Sequence, residues 1–476
     1  MGPNFAKPKA SLEEKWSETT SPQVKPEPAE KIDWWSVFAD PDLNSLVETG
    51  YRQNLPLQIA GIRILQSRAR LGISVGAQYP QQQELFGGYS REQLSDNTAI
   101  SRIDEGFDLW STGFDTAWEM DIWGRFRRGV ESATAELGSS IANYDDLLLS
   151  LVAEIASTYV QIRTFERRLD VAEENVDLQQ RSLEIANARF QAGAVTELDV
   201  SQATALLRDT QSTIPPLQAG LEQSRNALSI LLGRPPGEIR KLLQTRRPIP
   251  TAPAEVAVGI PAELLRRRPD IRSAELQAAA QSAQIGVARA DLFPAFALTG
   301  TIAFEASDAA KLFWGSSLAG SIGPSFRWPI LNYGRLRNNV RVQDAQFQEL
   351  IVTYQDTVLQ AQREVEDALA AFLRSREQVS FLTDSVDASK RSVELALIQY
   401  REGQSDYQRV IDTQKTLVER QDSLITSKGE VPRNLIAVYK ALGGGWEIRR
   451  GKEFVSEETK QEMRERTNWG KLLSRE

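Results

Sequence analysis

The 476-residue chain has neither histidine nor cysteine, so imidazole and thiolate chemistry are both closed to it. Zinc sites built on those ligands, disulfides, and His- or Cys-dependent catalysis are thereby excluded. Carboxylate and Ser-Lys chemistry stay open, but no motif gathers such groups into a convergent set, and neither an enzyme activity nor a cofactor is expected. The acidic residues with the most informative positions lie just beyond a pair of glycines. Asp199 follows Gly193 by six residues, and Asp412 follows Gly403 by nine. A carboxylate near a helix start is favoured by the helix dipole, which alone accounts for a first-turn aspartate. Opposite charge stands in register with one of them: Arg409 lies 210 residues after Asp199 (409 − 199).

That offset runs through the whole chain. Phe190-Gln191-Ala192-Gly193 returns as Tyr400-Arg401-Glu402-Gly403, and Trp123-Gly124-Arg125 as Tyr333-Gly334-Arg335, each 210 residues on (403 − 193, 334 − 124). Further upstream, Tyr79-Pro80 answers to Phe293-Pro294 at an offset of 214 (294 − 80), a difference a loop can absorb. A period this long marks a duplicated half-molecule, since solenoid repeats span roughly 20–50 residues. An Asp199–Arg409 bridge between neighbouring hairpins could form, with Lys415, one turn beyond Asp412, as a competing cation.

The elements that must position these residues are long helices. From Leu148 the positions Leu151, Ile155, Thr158, Ile162, Phe165, Leu169, Ala172, Val176, Gln179, Leu183, Ala186 and Phe190 step alternately by three and four, and the same register runs from Val358 to Tyr400. A sustained seven-residue repeat implies helices in a left-handed supercoil. At about 1.5 Å per residue such a helix is roughly 100 Å long. Gly193 and Gly403 should end these helices as C-cap glycines. Return helices are expected over about 197–232 and 406–442, kinked or interrupted by Pro215-Pro216 and Pro432. Leu57–Val75 and Ile271–Ala290 form a matched pair of shorter helices.

Between the short and long helices, residues 77–121 and 291–331 are glycine- and aromatic-rich. Phe296 to Phe304 and Phe114 to Asp121 alternate as strands with two unlike faces do. Each repeat therefore holds one hairpin, with strands long enough to cross a bilayer when tilted. Four strands cannot close a barrel, and open edges are not tolerated in hydrocarbon, so a membrane role requires several chains to share one barrel. No run of about 18 apolar residues reads as a membrane helix. A net charge of −8 argues against a nucleic-acid partner. Residues 7–31, rich in Pro, Lys, Glu and Ser, read as an extended and poorly packed arm, and the charged tail from Lys452 to Glu476 as a solvated surface segment.

An ordered set of landmarks accompanies the duplication: Gly2-Pro3-Asn4-Phe5, Trp118-Glu119-Met120-Asp121-Ile122-Trp123-Gly124-Arg125, Leu265-Arg266-Arg267-Arg268-Pro269-Asp270-Ile271, Ile285 to Pro294, Pro329 to Leu336, and Tyr439 to Trp446. In these the chain resembles the TolC-type outer-membrane factors, in the lipoprotein branch that serves tripartite RND-type efflux pumps. The resemblance implies an α+β membrane protein: a homotrimer whose six hairpins form a 12-stranded transmembrane β-barrel in outer-membrane lipid, continued by a coiled-coil α-helical barrel across the periplasm. It implies a passive exit channel for drugs or other small molecules, working with a periplasmic adaptor protein and an inner-membrane RND-type pump. Asp199, Tyr400 and Asp412 match the residues that latch or line the closed periplasmic entrance; Arg409 stands where some relatives carry a second Asp. Relatives carry a lipidated Cys just before the Gly-Pro-x-Phe stretch, which fits a mature region of a lipoprotein. The layout expected is an arm and part of an equatorial belt over 1–55, a first repeat over 56–232, an equatorial linker over 233–269, a second repeat over 270–442 and an equatorial tail over 443–476. A soluble coiled-coil scaffold is the alternative.

Overall fold

The computed structural model describes residues 1–25, 33–93, 106–243, 245–253, 255–259, 261–262 and 267–473. Leu265 and Arg266 of the arginine-rich landmark, residues 26–31 of the arm and the last three residues of the tail lie outside them. In chain order the elements are β1 (Val24–Lys25), α1 (Pro41–Gln53), α2 (Leu55–Gly76), β2 (Gln82–Glu92), β3 (Phe107–Glu119), α3 (Arg125–Gln191), α4 (Glu197–Leu231) and α5 (Ile239–Leu242). They continue with β4 (Val256–Ala257), α6 (Pro269–Ala290), β5 (Ala295–Ala306), β6 (Leu318–Arg327), α7 (Arg335–Arg401), α8 (Tyr407–Ala441) and α9 (Glu457–Arg466).

Both long helices, α3 and α7, have 67 residues, about 100 Å at the standard rise. Each begins after a glycine held at positive φ, Gly124 at 81° and Gly334 at 82°. The carboxylate of Asp121 then accepts from the backbone N–H groups of Phe126 and Arg127, at 3.1 and 2.9 Å, satisfying donors the helix cannot pair itself. The heptad positions are buried along most of their length, Ile155, Ile162 and Phe372 completely, while Phe190 at the tip is 43% exposed. α3 packs on α1, α2, α4, α6 and α8, whereas α7 packs on α6 and α8 and leaves Val352, Leu359, Phe381, Leu395 and Ile398 exposed.

The prolines do not interrupt the return helices. α4 runs through Pro215 and Pro216, and α8 through Pro432. Flanking burial holds α4 together: Leu217, Leu221 and Leu228 are in the core, and the Ser212 and Thr213 hydroxyls donate to the Asp209 and Thr210 carbonyls. Gly220 lets α4 pass Phe165, since a Cβ there would lie 2.6 Å from the ring.

The strands form one antiparallel sheet in the order β2-β3-β5-β6, so the two hairpins join through β3 and β5. The register puts Leu85, Trp110, Phe114, Trp118, Leu298, Ile302, Phe304, Ile322 and Phe326 on one face. The opposite face carries Gln82, Glu84, Ser111, Asp115, Thr299, Thr301, Ser321 and Ser325, with Thr301 donating to Asp115 at 2.6 Å. The polar stretch after Gln81 is thus explained: Gln82 and Glu84 belong to the polar face. The outer strands β2 and β6 each keep one unpaired edge within this sheet.

Two expectations are corrected. The arm up to Lys25 is extended but docked: Lys7 pairs with Glu275 at 2.6 Å, Ser17 bonds Glu366, Trp16 is buried, and Val24 pairs with Val256. Its start is also pinned, with the Met1 amine donating to the Trp123 carbonyl at 2.8 Å and the Met1 carbonyl lying against Gly286, where a Cβ would come within 2.6 Å. The tail folds too, its Val455, Met463 and Leu473 packing with Leu65 of α2. Charge-rich composition concealed these few apolar anchors.

Candidate functional site at the helical tips

The long and return helices meet in two similar turns, one between α3 and α4 and one between α7 and α8. Gly193 and Gly403 take φ of 71° and 74°, a region that disfavours any side chain with a Cβ. At the first turn the Gly193 N–H donates to the Phe190 carbonyl and the Ala194 N–H to the Arg189 carbonyl, both at 2.9 Å. At the second, Gly403 donates to Tyr400 at 3.1 Å and Gln404 to Gln399 at 2.9 Å. This paired reverse bonding satisfies carbonyls that the helix end would leave open. The Asp406 carboxylate then caps α8 by accepting from the Arg409 N–H at 3.3 Å.

Tyr400, in the last turn of α7, is the packed centre of the site, 1% exposed. Its hydroxyl donates to Asp199 Oδ2 in the first turn of α4 at 3.1 Å, tying one helical hairpin to the other. Tyr407 of α8 stacks edge-on to it, ring centroids 5.0 Å apart, and shares a 3.0 Å hydrogen bond with Ser182 of α3. The Arg189 guanidinium of α3 lies over the Tyr400 ring, 4.5 Å from its centroid. Ala186, Ala203, Leu206, Ala396 and Val410 close the cluster. Burial, and then the negative charge of Asp199, push the Tyr400 hydroxyl well above its ordinary pKa, so it remains a neutral donor.

The other candidates sit outside this cluster. Arg409 and Asp412 are exposed on α8. Among the described residues no ion pair joins Asp199 to Arg409 or Lys415 to Asp412 within the chain. The Gln408 amide instead donates to Asp412 Oδ1 at 2.9 Å, and Gln202 of α4 donates to Gln408 at 3.3 Å. Arg189, Gln202 and Ser182 were not singled out from sequence. A basic residue in a last helical turn has an ordinary explanation in the helix dipole, so Arg189 carried no signal of its own.

Paired 67-residue helices closed at their tips, beneath a sheet with one apolar face and unpaired edges, define a channel that several chains must complete. The chain belongs to the outer membrane efflux protein family, whose model matches residues 49–234 and 260–444. It is similar to nodulation protein T of Rhizobium leguminosarum bv. trifolii, 32% identical and aligned over 94% of each chain. The toluene efflux pump outer membrane protein TtgI of Pseudomonas putida is 33% identical, over 86% of this chain and 87% of that one. Among solved structures, the outer-membrane channel OprN matches with a TM-score of 0.89 at 32% identity, covering 94% of this chain and 99% of that one. The fold is therefore the TolC-type one, a coiled-coil α-helical barrel joined to a transmembrane β-barrel shared by three chains. The protein is an outer-membrane efflux channel reaching into the periplasm, and the soluble-scaffold alternative falls.

Proposed function

We propose that this channel is the passive exit duct of a tripartite pump, engaged at its tips by a periplasmic adaptor and fed by an inner-membrane RND-type pump, and that it is gated at the tips. The observation that carries the gate is the Tyr400–Asp199 hydrogen bond, which joins the α3/α4 hairpin to the α7/α8 hairpin where the helices end. In a trimer the bond is repeated three times around the mouth. Such a partly exposed bond contributes on the order of 1 kcal/mol. Three of them bias the mouth towards closure without preventing an adaptor from opening it. Asp412 would face the mouth as a ring of like charge attractive to cations, with Gln408 orienting each carboxylate. Arg409, exposed nearby, is free to meet Asp199 of a neighbouring hairpin.

Support for the assembly comes from the apolar stripe left open on α7 and from the open edges of β2 and β6, both of which further copies of the chain would cover. Residues 1–55, 233–269 and 443–476 are read as a belt around the waist of the tube. Met1 lies at the junction of sheet and helices, so a lipid attached there would reach the bilayer. The similarity to a toluene pump component supports coupling to a pump and leaves the cargo of this chain open. Planar-bilayer recording tests the gate. Tyr400→Phe keeps the ring and removes the bond, and it should raise mean conductance severalfold. Conductance equal to wild type would place the constriction elsewhere.

A further inference from the structure

Arg189 and Asp199 are placed symmetrically about the first tip, five residues before and five after Ala194. One is in the last turn of α3 and the other in the first turn of α4, so they face each other across a single hairpin. They carry opposite charges, yet each is engaged with Tyr400 of the other hairpin. Asp199 accepts from its hydroxyl, and Arg189 covers its ring. The arrangement leaves a defect: Nη1 of Arg189 is buried with no hydrogen-bond partner. The guanidinium is wedged against the second turn, its Nη2 only 3.6 Å from where a Cβ on Gly403 would stand. A buried cationic donor without an acceptor is costly, and the ring face returns only part of that cost.

We propose that Arg189 is the alternate partner of Asp199 and that the exchange between Tyr400 and Arg189 makes each tip a two-state switch; the inference rests on the gate reading above. When the hairpins part, Tyr400 leaves with α7. Asp199 then loses its donor and Arg189 loses its ring, but both stay on the same hairpin. The flexible arginine swings across the tip and pairs with the carboxylate, filling the donor left empty in the present state. Both charges are partnered in either state, which keeps the two states close in energy and lets a weak external contact choose between them. Arg189 is a positioning residue of the open mouth, in addition to its place in the closed one.

The two roles predict opposite signs. If Arg189 only held the Tyr400 ring in place, its loss would open the channel further. As the open-state partner of Asp199, its loss should close a channel already released. Planar-bilayer recordings are made on trimers carrying Tyr400→Phe alone and with Arg189→Gln, Arg189→Lys or Asp199→Asn. Tyr400→Phe should raise mean conductance at least about threefold. Adding Arg189→Gln or Asp199→Asn should each remove about half or more of that gain, and combining them should remove no more than either alone. Arg189→Lys, which keeps the charge, should preserve most of the gain. A further rise, or no change, with Arg189→Gln overturns the switch and leaves the gate standing. An unchanged conductance in Tyr400→Phe itself overturns the gate reading and the switch together.

Discussion

Replacing Ile162 with Asp probes the helical seam on which the tube depends. Ile162 is completely buried, part of the core formed by α3 with its neighbouring helices. Truncating a buried isoleucine costs about 2–5 kcal/mol through lost contacts and the cavity left behind. A carboxylate buried there without a partner adds about 3–5 kcal/mol. The nearest cation along the helix, Arg163, is already committed to Glu166 at 2.8 Å and Asp42 at 3.3 Å, so it is poorly placed to compensate. The expected loss is therefore on the order of 5–8 kcal/mol per chain, enough to prevent assembly. Gln180→Asp, on the same helix but exposed, should stay within about 0.5 kcal/mol. Thermal melting of the detergent-purified protein, followed by helical circular dichroism and by the fraction running as trimer, reads both effects. Phe372→Ala extends the test to the second repeat, with an expected loss of about 3–5 kcal/mol per chain. Equal behaviour of Ile162→Asp and Gln180→Asp would refute the assigned register.

Two further outcomes follow from the membrane and mouth ends of the tube. Mass measurement of the detergent-purified protein should give a trimer; a monodisperse monomer with full β content would contradict the shared barrel, because β2 and β6 would then keep open edges in hydrocarbon. Asp412→Ala should weaken block by multivalent cations added from the periplasmic side, read in the same bilayer recordings, and unchanged block would remove Asp412 from the conducting mouth.

What could be read in the chain beforehand depended on whether its cause was local. The heptad from Leu148 to Phe190 and its copy to Tyr400 are periodic because one face of a helix must be apolar, and periodicity survives in one dimension. The glycines that end the long helices were legible for the same reason, since a positive φ is a property of one residue. Docking of the arm was not legible, because Trp16 and Val24 are isolated among charged residues and their partners lie more than 200 residues away. The prolines misled in the opposite direction: a local rule predicted a break, but packing on both sides kept the helix whole.

The candidate site divides along the same line. Asp199 and Tyr400 stood out through the repeat and the family resemblance, and the tertiary structure bonds them directly. Arg189, Gln202 and the bond from Gln408 to Asp412 emerged only when the two hairpins lay side by side. The sequence by itself determined the duplication, the long paired helices, the two-faced strands and the need for further chains, because each follows from spacing along one chain. Only the tertiary structure decided which strand faces carry the aromatics, which charges pair, and which do not. A hydrogen bond or ion pair depends on ångström-scale positions of residues some 200 apart in sequence, and no local pattern encodes that distance.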